Sequence, residues 1–156
     1  MMLQKHSLKP TYKDEEEILI LGGKRKHPFY LVGISVEINK RFKKKISVIA
    51  DNKFFAGVLE KSFANKNFDV KQHKITTDYI KALVEKTPVI CHIDDNLLGD
   101  YSHASHFIVI EKATAKRFLI IDPWHGKRKW ISERTLSDAI SSLKDHLKMC
   151  PLLFYL

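Results

Sequence analysis

Two side chains at the ends of neighbouring apolar segments have the chemical types needed for general base catalysis. His106 opens the segment HFIVIEKA, residues 106–113, and Asp122 closes the segment RFLIID, residues 117–122. If these segments are antiparallel strands joined by a turn near 114–115, the start of the first lies beside the end of the second. A carboxylate bound to one ring nitrogen fixes the imidazole tautomer and presents the other nitrogen as a base. The spacing predicts a His106–Asp122 pair; the alternative is a strand-end histidine followed by an ordinary Asp-Pro turn.

A base of this kind needs a nucleophile, and the chain offers few. Its two cysteines, Cys91 and Cys150, lie in the apolar segments PVICHI and KMCPLLFYL. A free cysteine in such a segment behaves as a small hydrophobic residue, and apolar surroundings raise the pKa of its thiol. Cys91 is the candidate nucleophile because its segment is expected beside His106, and Ser35 is a weaker alternative.

The elements that would position these residues follow from hydrophobic periodicity and capping signals. The segment FYLVGISVEI, residues 29–38, suits a strand or a helix, and its β-branched and aromatic residues favour a β-hairpin over 29–50. Three helices are predicted behind polar caps, at Asp51 or Asn52, at Thr76 and at Ser132. The helices cover 53–66, 76–86 and 132–146, and the strands cover 46–50, 68–75, 88–93, 106–113, 117–122, 127–132 and the C-terminal CPLLFYL.

This order predicts an α+β fold, with an N-terminal helical half packed in two layers on an antiparallel β-sheet. The 156 residues suit a single domain over 1–156, in which the polar residues 1–16 form a flexible arm. Two cysteines are too few for a disulfide framework, so a reducing, cytoplasmic setting is expected. Apolar runs stay well short of the roughly 20 residues that span a bilayer, so no membrane span is expected.

The segment PVICHIDDNLLGDYSHASHFIVIEKATAKRFLIIDPWHGKRKWISERTLSDAI resembles the C-terminal half of papain-like, C39-type peptidase domains. Those domains run as a Pro-Val-Ile strand, a polar loop, a His-Phe strand and an Asp-Pro turn. The segment is also similar to the butirosin-biosynthesis-type acyltransferase domain, and the resemblance covers roughly residues 68–145. It implies that His106 is the general base and Asp122 its orienting partner.

The first half of the chain departs from that pattern at the nucleophile. Such enzymes carry a cysteine at the start of an N-terminal helix, and alignment on Gly33 places Val32 at that position and Lys26 near the oxyanion glutamine. Valine has no lone pair with which to attack a carbonyl. The resemblance therefore implies a pseudo-peptidase that binds peptides, and Tyr30 is expected to fill the vacant pocket.

The remaining candidates are a pair of residues that follow the Asp-Pro turn and a cluster of histidines and carboxylates. Trp124 and His125 are expected to line a substrate groove. His92, Asp94, His103, His106, Asp122 and His125 lie in a short segment. His103 and His106 lack a defined ligand spacing on a helix, so neither a metal nor another cofactor is expected.

Two further functions remain open at this point. An active thiol peptidase or acyltransferase would use Cys91 or an atypical nucleophile on a peptide or protein substrate. A basic module would use the clusters KRFKKK and KRKW, together with the net charge of +9, to bind nucleic acid or another anionic partner.

Overall fold

The computed structural model describes residues 11–24, 30–63, 67–99, 102–123 and 126–156. Within these ranges five helices and seven strands follow one another, with a short 3-10 helix after the third strand. In chain order they are α1 (Tyr12–Gly23), α2 (Tyr30–Phe42), β1 (Ile46–Ala50), α3 (Lys53–Ser62), β2 (Phe68–Gln72), α4 (Thr77–Val84), β3 (Val89–Asp94), the 3-10 helix (Asp95–Leu97), β4 (Ser105–Ala113), β5 (Arg117–Asp122), β6 (Lys127–Ser132), α5 (Glu133–Asp145) and β7 (Leu152–Tyr155).

The seven strands form one sheet in the order β2-β1-β7-β3-β4-β5-β6. β1 and β2 are parallel, and the other neighbours are antiparallel. Helices cover both faces of the sheet: α2 and α3 pack on one hydrophobic cluster, and α4 and α5 pack on the other. The predicted α+β class is confirmed, whereas the two-layer packing is wrong because the chain has three layers.

The predicted hairpin over 29–50 is wrong in its first half, where the chain forms α2. Val32 and Val36 are four residues apart, so they share one helical face, and both are buried against the sheet. β-branched residues normally favour strands, but burial of this apolar face outweighs that local preference. The second half of the predicted hairpin is correct, because residues 46–50 form β1.

The polar segment 1–16, predicted as an arm or a capping segment, includes the start of α1, and residues 1–10 lie outside the described part of the chain. Thr11 accepts a hydrogen bond from the Asp14 amide, and the Asp14 carboxylate accepts one from the Thr11 amide at 2.7 Å. This capping box satisfies two amides at the start of α1. Arg41 on α2 forms ion pairs with Asp14 and Glu17 and so ties α1 to α2.

The α1–α2 contact depends on two glycines. A Cβ built on Gly33 would lie 2.2 Å from the carbonyl oxygen of Gly22, and one built on Gly22 would lie 2.8 Å from the Ile34 amide nitrogen. Both distances are shorter than van der Waals contact, so the helices cross closely only because neither residue has a side chain.

The remaining helices begin where the capping signals predict. Asn52, Thr76 and Ser132 each accept hydrogen bonds from amides in the first turn of α3, α4 and α5. The strands from β3 to β7 also match the predicted segments. Among the described residues, every helix is too short or too polar to cross a membrane.

Candidate functional site

His106 and Asp122 meet as the spacing predicts. Nε2 of His106 lies 3.0 Å from Oδ1 of Asp122, and the two residues are each 3 % exposed. The pairing of Val109 with Ile121 places Ile108 opposite Asp122. His106 is therefore the diagonal neighbour of Asp122, a separation that long side chains can bridge.

The pair lies on the face of the sheet that α4 and α5 cover. Side chains alternate along a strand, so His106 shares a face with Ile108 and Asp122 shares one with Ile120, and both isoleucines belong to the α4/α5 cluster. α2 packs on the opposite face, where Phe107 contributes to the other cluster. The His106–Asp122 pair and the body of α2 are thus on different sides of the sheet.

A third side chain, Asp95, joins the pair. Potential ligand atoms of Asp95, His106 and Asp122 all lie within 4.8 Å of one another. Asp95 is 1 % exposed, and its Oδ2 has no hydrogen-bond partner among the described residues. Its backbone is held in place because its amide donates to the Ala104 carbonyl at 2.9 Å. Two carboxylates and one imidazole therefore share a buried space.

His92 is a structural residue between two strands and not a surface histidine. Its Nδ1 lies 3.1 Å from the carbonyl oxygen of Cys150, and its Nε2 lies 2.7 Å from Oγ of Ser105. A neutral ring satisfies both contacts, with Nδ1–H donating and Nε2 accepting from the hydroxyl. Burial lowers the pKa of His92 to about 4, although the Cys150 carbonyl acts in the opposite direction. The ring also stacks on Phe107 at 4.4 Å between centroids.

Asp94 anchors a second, more exposed histidine. Its Oδ2 lies 2.6 Å from Nδ1 of His103 and accepts from the Ser142 hydroxyl at 2.6 Å, while Oδ1 accepts from the amides of Asn96 and Ala104. Burial alone would raise the pKa of Asp94, but these hydrogen bonds outweigh it and hold the pKa below the usual value. The network fixes the loop after β3 against α5.

A surface groove of about 380 Å³ lies between this loop and α5. Its volume is within the range of pockets that hold small ligands. One wall carries the exposed side chain of Leu97, and the imidazoles of His103 and His146 stack at 4.3 Å. The lining of the groove includes Asn96, Leu97, His103, Ser141, Ser142 and His146.

Both thiols are buried. Cys91 is fully buried in the α4/α5 cluster, and its Sγ lies 3.9 Å from the carbonyl oxygen of His92. Burial raises the pKa of the Cys91 thiol far above its usual value and also raises that of Cys150. Cys91 pairs with Ile108, two residues along from the pair Ile93–His106. Cys91 is therefore a diagonal neighbour of His106 on the adjacent strand, and the contact of its sulfur is with the His92 carbonyl.

The other predicted site residues have different outcomes. Val32, at the position aligned with the nucleophile, is fully buried. Tyr30 begins α2, but its side chain lies outside the described part of the structure, as do Trp124 and His125. Their predicted roles in a groove stay predictions.

Sequence reasoning did not assign Asp95 and Ser142 to the site. Asp95 is not among the candidates that the residue pattern indicates, and Ser142 lies within the amphipathic pattern of α5. The consecutive acids Asp94-Asp95 ending an apolar strand were the available signal. Only the fold shows that the first carboxylate binds His103 and Ser142 while the second approaches His106.

The arrangement at the ends of β3, β4 and β5 can be compared with known families. The sequence model of the Peptidase C39 family matches residues 34–139, which is more than half of the chain. Neither a curated protein nor a solved structure matches it. The chain belongs to the Peptidase C39 family.

Proposed function

We propose that this chain is a C39-type domain that binds a peptide or protein segment without cleaving it through a cysteine thiolate. The observation that carries the proposal is the burial of both thiols. Cys91 is 0 % exposed and Cys150 is 6 % exposed, and burial raises the pKa of each. A thiolate is the nucleophilic form, so neither sulfur is suited to attack a peptide carbonyl.

The surroundings of His106 support the same conclusion. The imidazole is closed in with two carboxylates, and α2, on which the resemblance would place the nucleophile, presents Val32 and Val36 to the opposite face of the sheet. An imidazole acts as a general base only when the proton it takes is within hydrogen-bond reach. Nε2 of His106 contacts Oδ1 of Asp122 at 3.0 Å, and Sγ of Cys91 lies 3.9 Å from the His92 carbonyl oxygen.

The ligand class comes from the family, whose members are named for action on peptides. The groove between the 3-10 helix and α5 is the surface that we assign to the peptide. It combines an apolar contact at Leu97 with hydrogen-bonding groups at Asn96, His103 and Ser141. An extended peptide needs both, because main-chain hydrogen bonds provide affinity and side-chain contacts provide specificity.

A peptide-library experiment tests this proposal. The purified chain would be used to select phage-displayed peptides, and the affinity of the selected peptides would be measured by fluorescence anisotropy. Leu97→Ala and Ser141→Trp should each weaken binding at least about tenfold, by removing the apolar contact and by filling the groove. Phe54→Ala is the matched control, because Phe54 is 73 % exposed on α3, on the other face of the sheet. Unchanged affinity in both groove variants would refute the groove as the binding surface. A library that yields no binders would refute the proposed peptide binding.

Turnover is measured in parallel with a quenched-fluorescent peptide library. We expect none from the wild type. Cleavage that His106→Ala or Cys91→Ser abolishes would establish an active peptidase instead.

The basic-module alternative receives less support from the structure. Residues 43–45 precede β1, whereas residues 127–129 begin β6, and the strand register places these two positions at opposite ends of the sheet. Arg128 is also paired with Glu111 at 2.7 Å. A continuous basic surface is the electrostatic signature of nucleic-acid binding, and these two clusters do not form one.

A further inference from the structure

The groove between the 3-10 helix and α5 is acidic, although the chain as a whole has a formal net charge of +9. Asp138 and Asp145 both line the groove, and neither lysine nor arginine occurs among the described residues of its lining. The two acidic positions are separated along α5 by roughly 10 Å, because a helix rises about 1.5 Å per residue. A ligand that lies along the groove therefore meets negative charge over much of its length.

The cations of α5 leave these carboxylates available. Lys144 pairs with Asp51 at 2.9 Å and does not line the groove. Asp138 is 3.6 Å from Arg134, whose side chain is 91 % exposed, and exposed pairs of this kind contribute little. Asp145 has no ion pair with any described residue. Both groove carboxylates can therefore accept a cation from a ligand.

The position of Asp145 strengthens the negative potential at one end of the groove. It is the last residue of α5, where the carbonyl groups of the final turn already give the helix a partial negative charge. An acidic side chain is locally unfavourable at that end of a helix, and a bound cation would relieve the unfavourable interaction.

The buried carboxylate of Asp94 adds a directed acceptor to the same groove. Asp94 is 0 % exposed, and its Oδ2 lies 2.6 Å from Nδ1 of His103. In the neutral ring Nδ1–H donates to this carboxylate, so Nε2 is the acceptor. The side-chain nitrogen of Asn96 lies 3.4 Å from Nε2, a long contact that a better donor from a ligand can replace. The His103 ring stacks on that of His146, so the groove also has a flat imidazole pair in its lining.

We propose that this groove binds an arginine side chain of the peptide, next to an apolar residue that contacts Leu97. The inference rests on the peptide binding proposed above and specifies which peptides are bound. A guanidinium presents several N–H donors in a planar fork that matches a carboxylate, and its plane stacks on flat rings. A lysine ammonium has the same charge but neither the fork nor the flat surface, so arginine is preferred.

An NMR titration of the isotope-labelled full chain with acetyl-Leu-Arg-amide tests the inference. The probe should shift the amide signals of residues 96–98, 103 and 138–146. Replacing its arginine by citrulline removes the charge at nearly constant shape and should raise the Kd at least about threefold. Added salt should weaken binding of the arginine probe more than that of the citrulline probe, because it screens exposed charges. Equal affinity for a lysine probe would refute the preference for a guanidinium.

A double variant, Asp138→Asn with Asp145→Asn, makes the matching change in the protein. It should raise the Kd of the arginine probe at least about threefold and abolish the preference over citrulline. Removal of the acid at the end of α5 should not destabilise the helix. Glu16→Gln with Glu60→Gln is the control, because it removes two charges from exposed positions on α1 and α3, and it should leave the Kd unchanged.

Three results would overturn the inference: equal affinity for the arginine and citrulline probes, an equal loss of affinity in the control variant, or no shift of the groove signals. Library-selected peptides that bind the groove equally well in the wild type and in the double Asp→Asn variant would refute the arginine preference alone. A library that yields no binders would refute peptide binding itself.

Discussion

His106 and Asp122 form a hydrogen-bonded pair, 3.0 Å from Nε2 to Oδ1, that is almost completely withdrawn from solvent. The order and spacing of the strands are those expected of a base and its orienting carboxylate. The burial of the pair is unexpected for a general base, because a base must reach its substrate. Asp95 lies close to the pair, and both thiols are buried.

Acidification should destabilise the fold through His92. Its pKa is lowered from 6.5 to about 4 in the folded state, so the unfolded chain takes up a proton first as the pH falls. Its contribution to stability is intact above pH 6.5 and is lost between pH 6.5 and 4, at up to about 1.4 kcal/mol per pH unit. Urea denaturation at a series of pH values measures this slope.

His92→Gln should reduce the pH dependence of the free energy of unfolding between pH 6.5 and 4, even if the variant is less stable at neutral pH. His73→Gln, at an exposed histidine, is the control and should retain the wild-type slope. An unchanged slope in His92→Gln would contradict the assignment.

Gly33→Ala should destabilise the protein because the new methyl group would meet the Gly22 carbonyl. The contact would be 2.2 Å against backbone, which cannot rotate away, so α1 and α2 must separate. A cost of about 1–3 kcal/mol is expected in chemical denaturation.

Gly57→Ala is the matched control for that substitution. Gly57 lies inside α3, and nothing lies within 4 Å of a Cβ built there. The helix propensity of alanine should therefore stabilise this variant by about 0.5–1 kcal/mol. Equal effects of the two substitutions would rule out the close helix crossing.

Asp94→Asn should loosen the loop after β3. The carboxylate accepts hydrogen bonds from His103, Ser142 and two amides, and an amide group in its place offers one acceptor oxygen instead of two. Hydrogen bonds to a charged group contribute about 1.5–3 kcal/mol, so a loss of about this size is expected. Hydrogen exchange at residues 95–104 should accelerate, whereas exchange in β1 should not change. Uniform acceleration throughout the sheet would instead indicate global destabilisation.

Both cysteines should resist alkylation in the folded state. Burial raises the pKa of each thiol and blocks access to it. Iodoacetamide at mildly alkaline pH should leave the intact mass unchanged, and the same treatment in denaturant should add two adducts. Rapid labelling of native Cys91 would revive the active-thiol alternative.

Local sequence predicted secondary structure correctly where an element has both a capping residue and a clear hydrophobic periodicity. α5 has Ser132 as its cap and Leu136, Ile140 and Leu143 on its buried face, and all three are buried in the structure. The segment 29–38 has a dense apolar run that suits either period, so local pattern alone could not choose between strand and helix. The close crossing of Gly33 on Gly22, a contact between two consecutive helices, favours the helix.

The sequence by itself predicted the His106–Asp122 pair, because a short turn brings the ends of two antiparallel strands together. It also determined that the chain has only two thiols and that both lie in apolar segments. The tertiary structure decided which side chain lies beside the pair. Asp95 reaches His106 through the pairing of β3 with β4 and the turn that follows β3, and α2 covers the opposite face. These contacts join residues on different elements, and no local sequence pattern predicts them. They form only when the strands assemble into the sheet.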